Sequence, residues 1–204
     1  LGNIRVGIIG CGNISGVYFK NLNEFDGVET VALLGPIRDI AGMTRISKPE
    51  RTIASEPNKG RKIKVEVPTH VAGTLRFASG AIGTIITSFD IPAGSGLPRI
   101  EIYGTEGTLS VPNPNTFGGP VRLKRSWQDD WIDVPVTPPY DGNSRGVGVV
   151  DMADAIRSGR DHRASGELAY HVLEAMHGFH DSSDSGTVYR MRSDCRVPAP
   201  LNRT

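Results

Sequence analysis

The chain has 204 residues, and its 23 basic and 22 acidic side chains leave a formal charge of +1. With the two signs interspersed, that balance gives no electrostatic case for a nucleic-acid or anionic-membrane partner. No apolar run approaches the ~18 residues of a membrane span. No signal peptide precedes the first strand, and the opening Leu in place of Met reads as a trimmed start. Cys11 and Cys195 are isolated, without disulfide or metal spacing, which suits a reducing cytoplasm. The length allows one large domain or one and a half.

Residues 4–16 read Ile-Arg-Val-Gly-Ile-Ile-Gly-Cys-Gly-Asn-Ile-Ser-Gly. Val6–Ile9 is a short apolar run of buried-strand type, and Val17–Leu22 can open a helix. Between them stands Gly10-x-Gly12, the first strand–turn–helix pattern of a dinucleotide-binding fold. Gly10 permits the tight turn, and Gly12 lets the backbone approach a pyrophosphate. The helix N-terminus offers free N–H groups and a partial positive charge to the anion. The third glycine of G-x-G-x-x-G is replaced by Ser15, with Gly16 one residue late. The candidate contacts to an NAD or NADP cofactor are Gly10, Gly12, Asn13 and Ile14.

A second strand begins at Val28-Glu-Thr-Val-Ala32 and runs into Leu33-Leu-Gly-Pro36. No acidic residue stands at its end, where a ribose-binding Asp or Glu is expected about 20 positions after the glycines. The mononucleotide-binding half is started and not finished. Arg38–Ile46 reads as a strand, and Ser47–Gly60, with two prolines and charges, as a mobile loop. Strand signals then follow at Lys62–Val67, Thr69–Phe77, Ala81–Phe89, Arg99–Tyr103, Thr108–Val111, Val121–Arg125 and Trp131–Val136. The pair around Ala78-Ser-Gly80 is the clearest hairpin. Alternating apolar and polar faces predict an antiparallel sheet covered on one side. Ser144–Arg157 is compatible with a helix stopped at Ser158-Gly159. Ser165 can cap a second over about Gly166–Ser182, with Leu168, Val172, Ala175, Met176 and Phe179 as its apolar stripe.

At this point the chain resembles the Gfo/Idh/MocA oxidoreductases. The pieces that carry the resemblance are Val6-Gly-Ile-Ile-Gly-Cys-Gly-Asn-Ile14, Phe77-Ala-Ser-Gly-Ala-Ile-Gly-Thr84, Ile102-Tyr-Gly-Thr-Glu-Gly-Thr-Leu109, Ala155-Ile-Arg-Ser-Gly-Arg160 and Ala164-Ser-Gly-Glu-Leu-Ala169. None is specific alone; their order is what counts. The resemblance covers about residues 3–32 and 33–197. It implies an α+β, or α/β, architecture: the start of a Rossmann dinucleotide-binding domain (1–32) joined to a C-terminal α/β domain (33–204). That second domain has a large, mostly antiparallel sheet with helices on one face. It further implies an NAD(P)-dependent dehydrogenase acting on a sugar, inositol or related polyol. The family's Glu-Lys-Pro motif and its Asp/His helix have no counterparts at matching positions, so no catalytic residue is named and the bare chain is expected to be inactive. The join near Ala32/Leu33 skips most of the Rossmann domain, as an internal deletion or an incompletely represented sequence would; a naturally shortened homologue is the alternative. A non-catalytic sugar-sensing or oligomerisation module with a vestigial glycine turn is the rival reading.

Other residues invite functional readings that the sequence weighs against. Ser47-Lys48-Pro49 imitates Glu-Lys-Pro but lacks the Glu and enters a polar loop. At about 100° per residue His177 and His180 lie some 60° apart and His171 about 120° from His177, so the three do not converge on a metal. His70 is either an ordinary strand histidine or a contact to a sugar hydroxyl. Arg122, Lys124, Arg125 and Trp127 lack the several aromatics of an oligonucleotide platform. Cys11 is a small residue at a strand–helix junction rather than a reactive thiol. The strand Thr69–Phe77 puts Val71, Gly73 and Leu75 on one side and His70, Ala72 and Thr74 on the other. The uncovered side is expected to join copies of the chain into a homo-oligomer.

Overall fold

In a computed structural model the residues described are 4–8, 28–91, 93–113, 118–134 and 146–198. Gly10, Gly12, Asn13 and Ile14, Cys11 and the helix expected at Val17–Leu22 lie outside them. Strands β1 (Ile4–Ile8) and β2 (Val28–Leu33) pair in parallel, Ile4 opposite Val28 and Ile8 opposite Leu33.

The chain divides into two compact units, one of residues 1–35, 97–169 and 195–204, the other of residues 36–96 and 170–194. In place of one large sheet, the described strands form two four-stranded antiparallel sheets and two two-stranded pairs.

In the second unit the order is β12–β3–β6–β7, from β3 (Ile37–Arg45), β6 (His70–Phe77), β7 (Ile82–Ser88) and β12 (Tyr189–Arg190). The β6–β7 hairpin forms as the alternation requires, turning at Gly80 with φ +88°, where glycine is favoured. Ile40, Leu75 and Phe77 are buried on one face, and each contributes roughly 1.5–3 kcal/mol by leaving water.

Helix α2 (Gly166–Ser185) covers that face through the part lying in this unit. Its approach is close because glycines meet it. A Cβ on Gly73 would stand 2.4 Å from Ala41 O and 2.8 Å from the Phe179 ring, and one on Gly42 would stand 2.8 Å from Phe179 O. The helix also closes the outer edge of β3. Ser182 Oγ accepts the Gly42 N–H at 3.0 Å and Ser183 Oγ the Thr44 N–H at 3.0 Å, donors that would otherwise offer a free sheet edge.

The stripe read from periodicity is partly wrong. Leu168, Ala175 and Phe179 are buried, but Val172 and Met176 are 47% and 61% exposed. The face turned inward instead carries His171, Glu174, Gly178 and Ser182. A Cβ on Gly178 would stand 2.8 Å from the Tyr189 ring and 2.9 Å from Ile40 Cδ1, so contact with the sheet sets the rotation of the helix.

The segment Ser47–Gly60 is not the open loop expected. Strand β4 (Glu50–Thr52) pairs antiparallel with β5 (Lys62–Lys64), Arg51 opposite Ile63. Inside it Ile53 N–H bonds Arg61 O at 2.9 Å and Gly60 N–H bonds Ile53 O at 2.8 Å. Backbone pairing holds this hairpin with little burial, which is why its composition hid it.

In the first unit β8 (Ile100–Gly104), β9 (Gly107–Val111), β10 (Val121–Arg125) and β11 (Ile132–Val134) form an antiparallel meander. Leu109, Val111, Val121, Leu123 and Val134 bury its apolar face. Helix α1 (Val147–Ser158) ends where expected, at Gly159 with φ +67°, whose N–H returns to Ala155 O. The cap of α2 is also as expected: Ser165 Oγ accepts the Leu168 N–H at 3.2 Å.

Candidate functional site

Three groups of polar side chains stand out among the described residues, each inside one unit. The first is built on α1. Asp151 and Ala155, one turn apart, are buried, and Asp151 is 4% exposed. Its carboxylate accepts the Arg163 N–H at 2.8 Å and Arg160 Nη2 at 2.7 Å, and pairs with Arg163 Nη1. Burial alone would raise its pKa, but the Arg163 amide and the two guanidiniums outweigh it and hold the carboxyl below the usual range. The cluster ties the segment after the helix back onto it.

The second joins Asp90, Thr69 and Arg51. Thr69 Oγ1 donates to Asp90, which also pairs with Arg51, and Arg51 Nη2 reaches Phe89 O at 3.3 Å. The hydrogen bond from Thr69 is the main influence holding Asp90 below its ordinary pKa. This pins the end of β7 to β4 and to the residue before β6.

The third lies under α2. Glu174 accepts the backbone N–H groups of Arg192 and Ser193, each at 2.8 Å, and the Tyr189 hydroxyl at 3.0 Å. Burial would raise this carboxyl, yet the bonds from Ser193, Arg192 and Tyr189 prevail and hold it at about 2. His171, 3% exposed, lies one turn earlier on the helix. Its Nε2 accepts the Ile37 N–H at 2.9 Å and its Nδ1 stands 2.8 Å from Ser193 Oγ. Both nitrogens are occupied inside the fold, so the ring is not disposed as a general base toward a substrate.

The sequence candidates fall as follows. Gly10, Gly12, Asn13 and Ile14 lie outside the described residues. His70 sits on the uncovered face of the β3–β6–β7 sheet, opposite Arg45 on one side and Ser88 on the other. That face also carries Met43, 79% exposed, with Ile82 and Ile86. Lys48 is exposed. His171 belongs to the Glu174 group, whereas the ring centroids of His177 and His180 stand 6.4 Å apart elsewhere on the helix. Among the described residues no three His, Cys, Asp or Glu side chains gather to hold a metal ion. Arg125 stacks on Trp127 and Arg122 on Trp131, at 5.4 and 5.8 Å, as two separate pairs rather than one platform. No helix among the described residues is long and apolar enough to cross a membrane.

The sequence reading missed Asp151 and Glu174 as buried anchors. The available signal was position: Glu174 follows His171 by three residues and precedes Gly178 by four, on the face that Ala175 and Phe179 share.

Residues 30–110 match the model of the GFO/IDH/MocA C-terminal domain. No curated protein matches the chain. Solved structures do. An NAD binding oxidoreductase from Klebsiella pneumoniae is 21% identical, with a TM-score of 0.60 over 88% of this chain and 50% of its own. An oxidoreductase domain protein from Kribbella flavida is also 21% identical, with a TM-score of 0.59 over 77% and 46%. Levoglucosan dehydrogenase in complex with NADH and levoglucosan is 22% identical, with a TM-score of 0.58 over 76% and 45%. At these identities the likeness is one of fold, and this chain spans about half the length of the structures it matches. Through residues 30–110, from within β2 into β9, the chain is similar to the GFO/IDH/MocA C-terminal domain.

Proposed function

We propose that this chain is part of an NAD(P)-dependent oxidoreductase acting on a sugar, inositol or related polyol, with a nucleotide-binding segment at 1–32 and the sheet domain at 33–204. The observation that carries the reading is the family match from β2 to β9, and the parallel β1–β2 pair around the glycine turn supports it. When bound, a nicotinamide supplies the acceptor for a carbinol hydride. Gly10, Gly12, Asn13 and Ile14 would face its pyrophosphate. No described residue is assigned as the base that removes the hydroxyl proton. The two isolated cysteines make a reducing cytoplasm the proposed compartment.

The turn alone cannot hold the cofactor tightly. A helix N-terminus contributes roughly 0.3–1 kcal/mol toward a phosphate, whereas a micromolar complex needs about 8 kcal/mol. Titration calorimetry on the 204-residue chain is therefore expected to show NAD(H) binding weaker than micromolar. Saturation-transfer NMR at millimolar NAD(H) should still detect contact, and Gly12→Val should remove it by placing a side chain in the pyrophosphate path. Absence of any contact in the parent chain would overturn the oxidoreductase reading.

The open sheet face favours a second reading, an oligomerisation module, and in either case a homo-oligomer through that face. Met43, Ala72 and Ile86 lie in one row across three strands, and Met43 and Ile86 are largely exposed. Light scattering at micromolar concentration should report a dimer or larger species and Ile86→Asp a monomer; a parent chain that is already monomeric removes the proposal.

A further inference from the structure

The Glu174 group takes no part in the proposed chemistry, yet it organises three separate stretches of chain. An acceptor at Nε2 carries no proton, so the Ile37 N–H fixes the His171 tautomer: Nδ1 holds the hydrogen and donates it to Ser193 Oγ. The Ser193 hydroxyl in turn bonds the Glu174 carboxylate, which also takes the Ser193 N–H at 2.8 Å. The bonds run in one direction, from Ile37 N–H through His171 and Ser193 to Glu174. They connect the first residue of β3, the helix α2 and the strap Arg192–Asp194 that follows β12.

We propose that His171 is a proton-released latch: neutral, its Nε2 ties the start of β3 to α2, and protonated, it lets that strand end go. An imidazolium has N–H at both nitrogens. Its Nε2–H would then face the Ile37 N–H across 2.9 Å, donor against donor, and turning the ring over presents the same conflict. The ring is 3% exposed and Ile37 half-buried, so water replaces the displaced bond only in part.

The charges around the ring are Glu174 from its own helix, Asp194 from the strap and Arg38 from β3, while the Tyr189 hydroxyl of β12 is spent on Glu174. Burial is the largest influence and disfavours the cation, and Arg38 adds to it; Glu174, the bond to the Ser193 backbone and Asp194 oppose it, and the balance leaves the ring titrating below an ordinary histidine. The strap beyond β12 stays in place: Nδ1 keeps its proton in both states, Glu174 keeps the Arg192 and Ser193 N–H groups, and Met191 N–H bonds Arg38 O at 2.9 Å, so the opening is confined to the start of β3. The Arg38–Asp194 ion pair, 3.3 Å long, is exposed on both sides, and such pairs contribute little.

The depressed titration point sets the sign. The latch is complete above the ordinary histidine value near 6.5, and weakens as pH falls from there through its own lower value. Long-range 1H–15N spectra of the full chain at pH 7.5 should show His171 neutral and protonated at Nδ1. Hydrogen exchange, corrected for its intrinsic pH dependence, should show Ile37 amide protection falling about tenfold for each pH unit inside that window, while the Ser193 amide, held by Glu174, keeps its own. Leu75, at the sheet centre, should keep its protection. His171→Gln offers an amide oxygen to Ile37 and an amide N–H to Ser193 without titrating, and should lose the pH step. An Nε2–H tautomer, protection that does not change with pH in the parent chain, or a step that survives in His171→Gln would each overturn the latch. The parent-chain spectra decide the matter even if the variant does not fold.

Discussion

Asp151→Ala is expected to remove about 3–5 kcal/mol of stability, the cost of breaking a buried ion pair from one side. The size follows from what is left behind. Asp151 is the common acceptor for Arg160, Arg163 and the Arg163 amide, and the Arg163 side chain is itself mostly enclosed. Removing the carboxylate takes a charged acceptor from the Arg160 and Arg163 guanidiniums and from the Arg163 N–H, which costs more than the pairing gained. Urea denaturation with an unchanged slope should report the loss as a lower midpoint. Asp151→Asn keeps one oxygen for the Arg163 N–H and should recover part of it. Raising the salt to 1 M should barely alter the parent stability attributable to this cluster, because enclosed pairs are weakly screened. A loss below about 1 kcal/mol would mark the cluster as an ordinary surface pair. The pH dependence has a fixed sign. The carboxyl is held below 3.8, so its contribution is complete above that value and disappears as pH falls beneath it.

The same cluster shows what composition and periodicity reveal. Glycine at 159 and the polar run after it marked the end of α1, since a left-handed cap and a break in apolar spacing are both written locally. The β6–β7 hairpin was equally legible, because Val71, Gly73, Leu75 and Phe77 alternate with polar or small neighbours and a turn triplet separates the strands. Asp151 was not legible. An aspartate in a helix reads as solvent-facing until its partners, nine and twelve residues later, fold back over it. Likewise, the buried face of α2 contains a histidine, a glutamate and a serine that a hydrophobic count assigns to water, and the count therefore chose Val172 and Met176 instead. The β4–β5 hairpin was hidden for the opposite reason: its side chains are mostly exposed, so no burial pattern exists to be read. The single large sheet was an inference from strand number; pairing partners, which decide how strands divide among sheets, are non-local. Of the candidate site, the Gly10-x-Gly12 pattern is a local signal, and it lies outside the described residues, so it stands as an expectation.

The second large effect is expected at Glu174. Its carboxylate takes two backbone N–H groups of the strap and the Tyr189 hydroxyl, while Ser193 donates from the side. Glu174→Gln preserves the volume but puts an NH2 group where an acceptor oxygen stood, so at least one of the Arg192 and Ser193 N–H groups faces another donor. With bonds to a charged acceptor contributing about 1.5–3 kcal/mol each and not adding fully, a loss of about 3 kcal/mol is expected. The carboxyl lies at about 2 in the folded chain against 4.5 ordinarily. A depressed value means that stability from this group is complete above 4.5 and is lost progressively as pH falls toward 2. The parent protein should therefore lose stability across that interval more steeply than Glu174→Gln, which has no proton to gain there. The His171 window opens at the higher pH, from 6.5 downward, so the onset of each loss can be separated in a single series of denaturation midpoints from pH 7.5 to 2.5. His171→Gln should flatten the upper part and leave the lower, and Glu174→Gln should do the reverse. If the glutamine variant at 174 keeps the parent's acid slope, the carboxylate is not what fastens the strap to α2, and the order of bonds from Ile37 to Glu174 would have to be read as packing without charge.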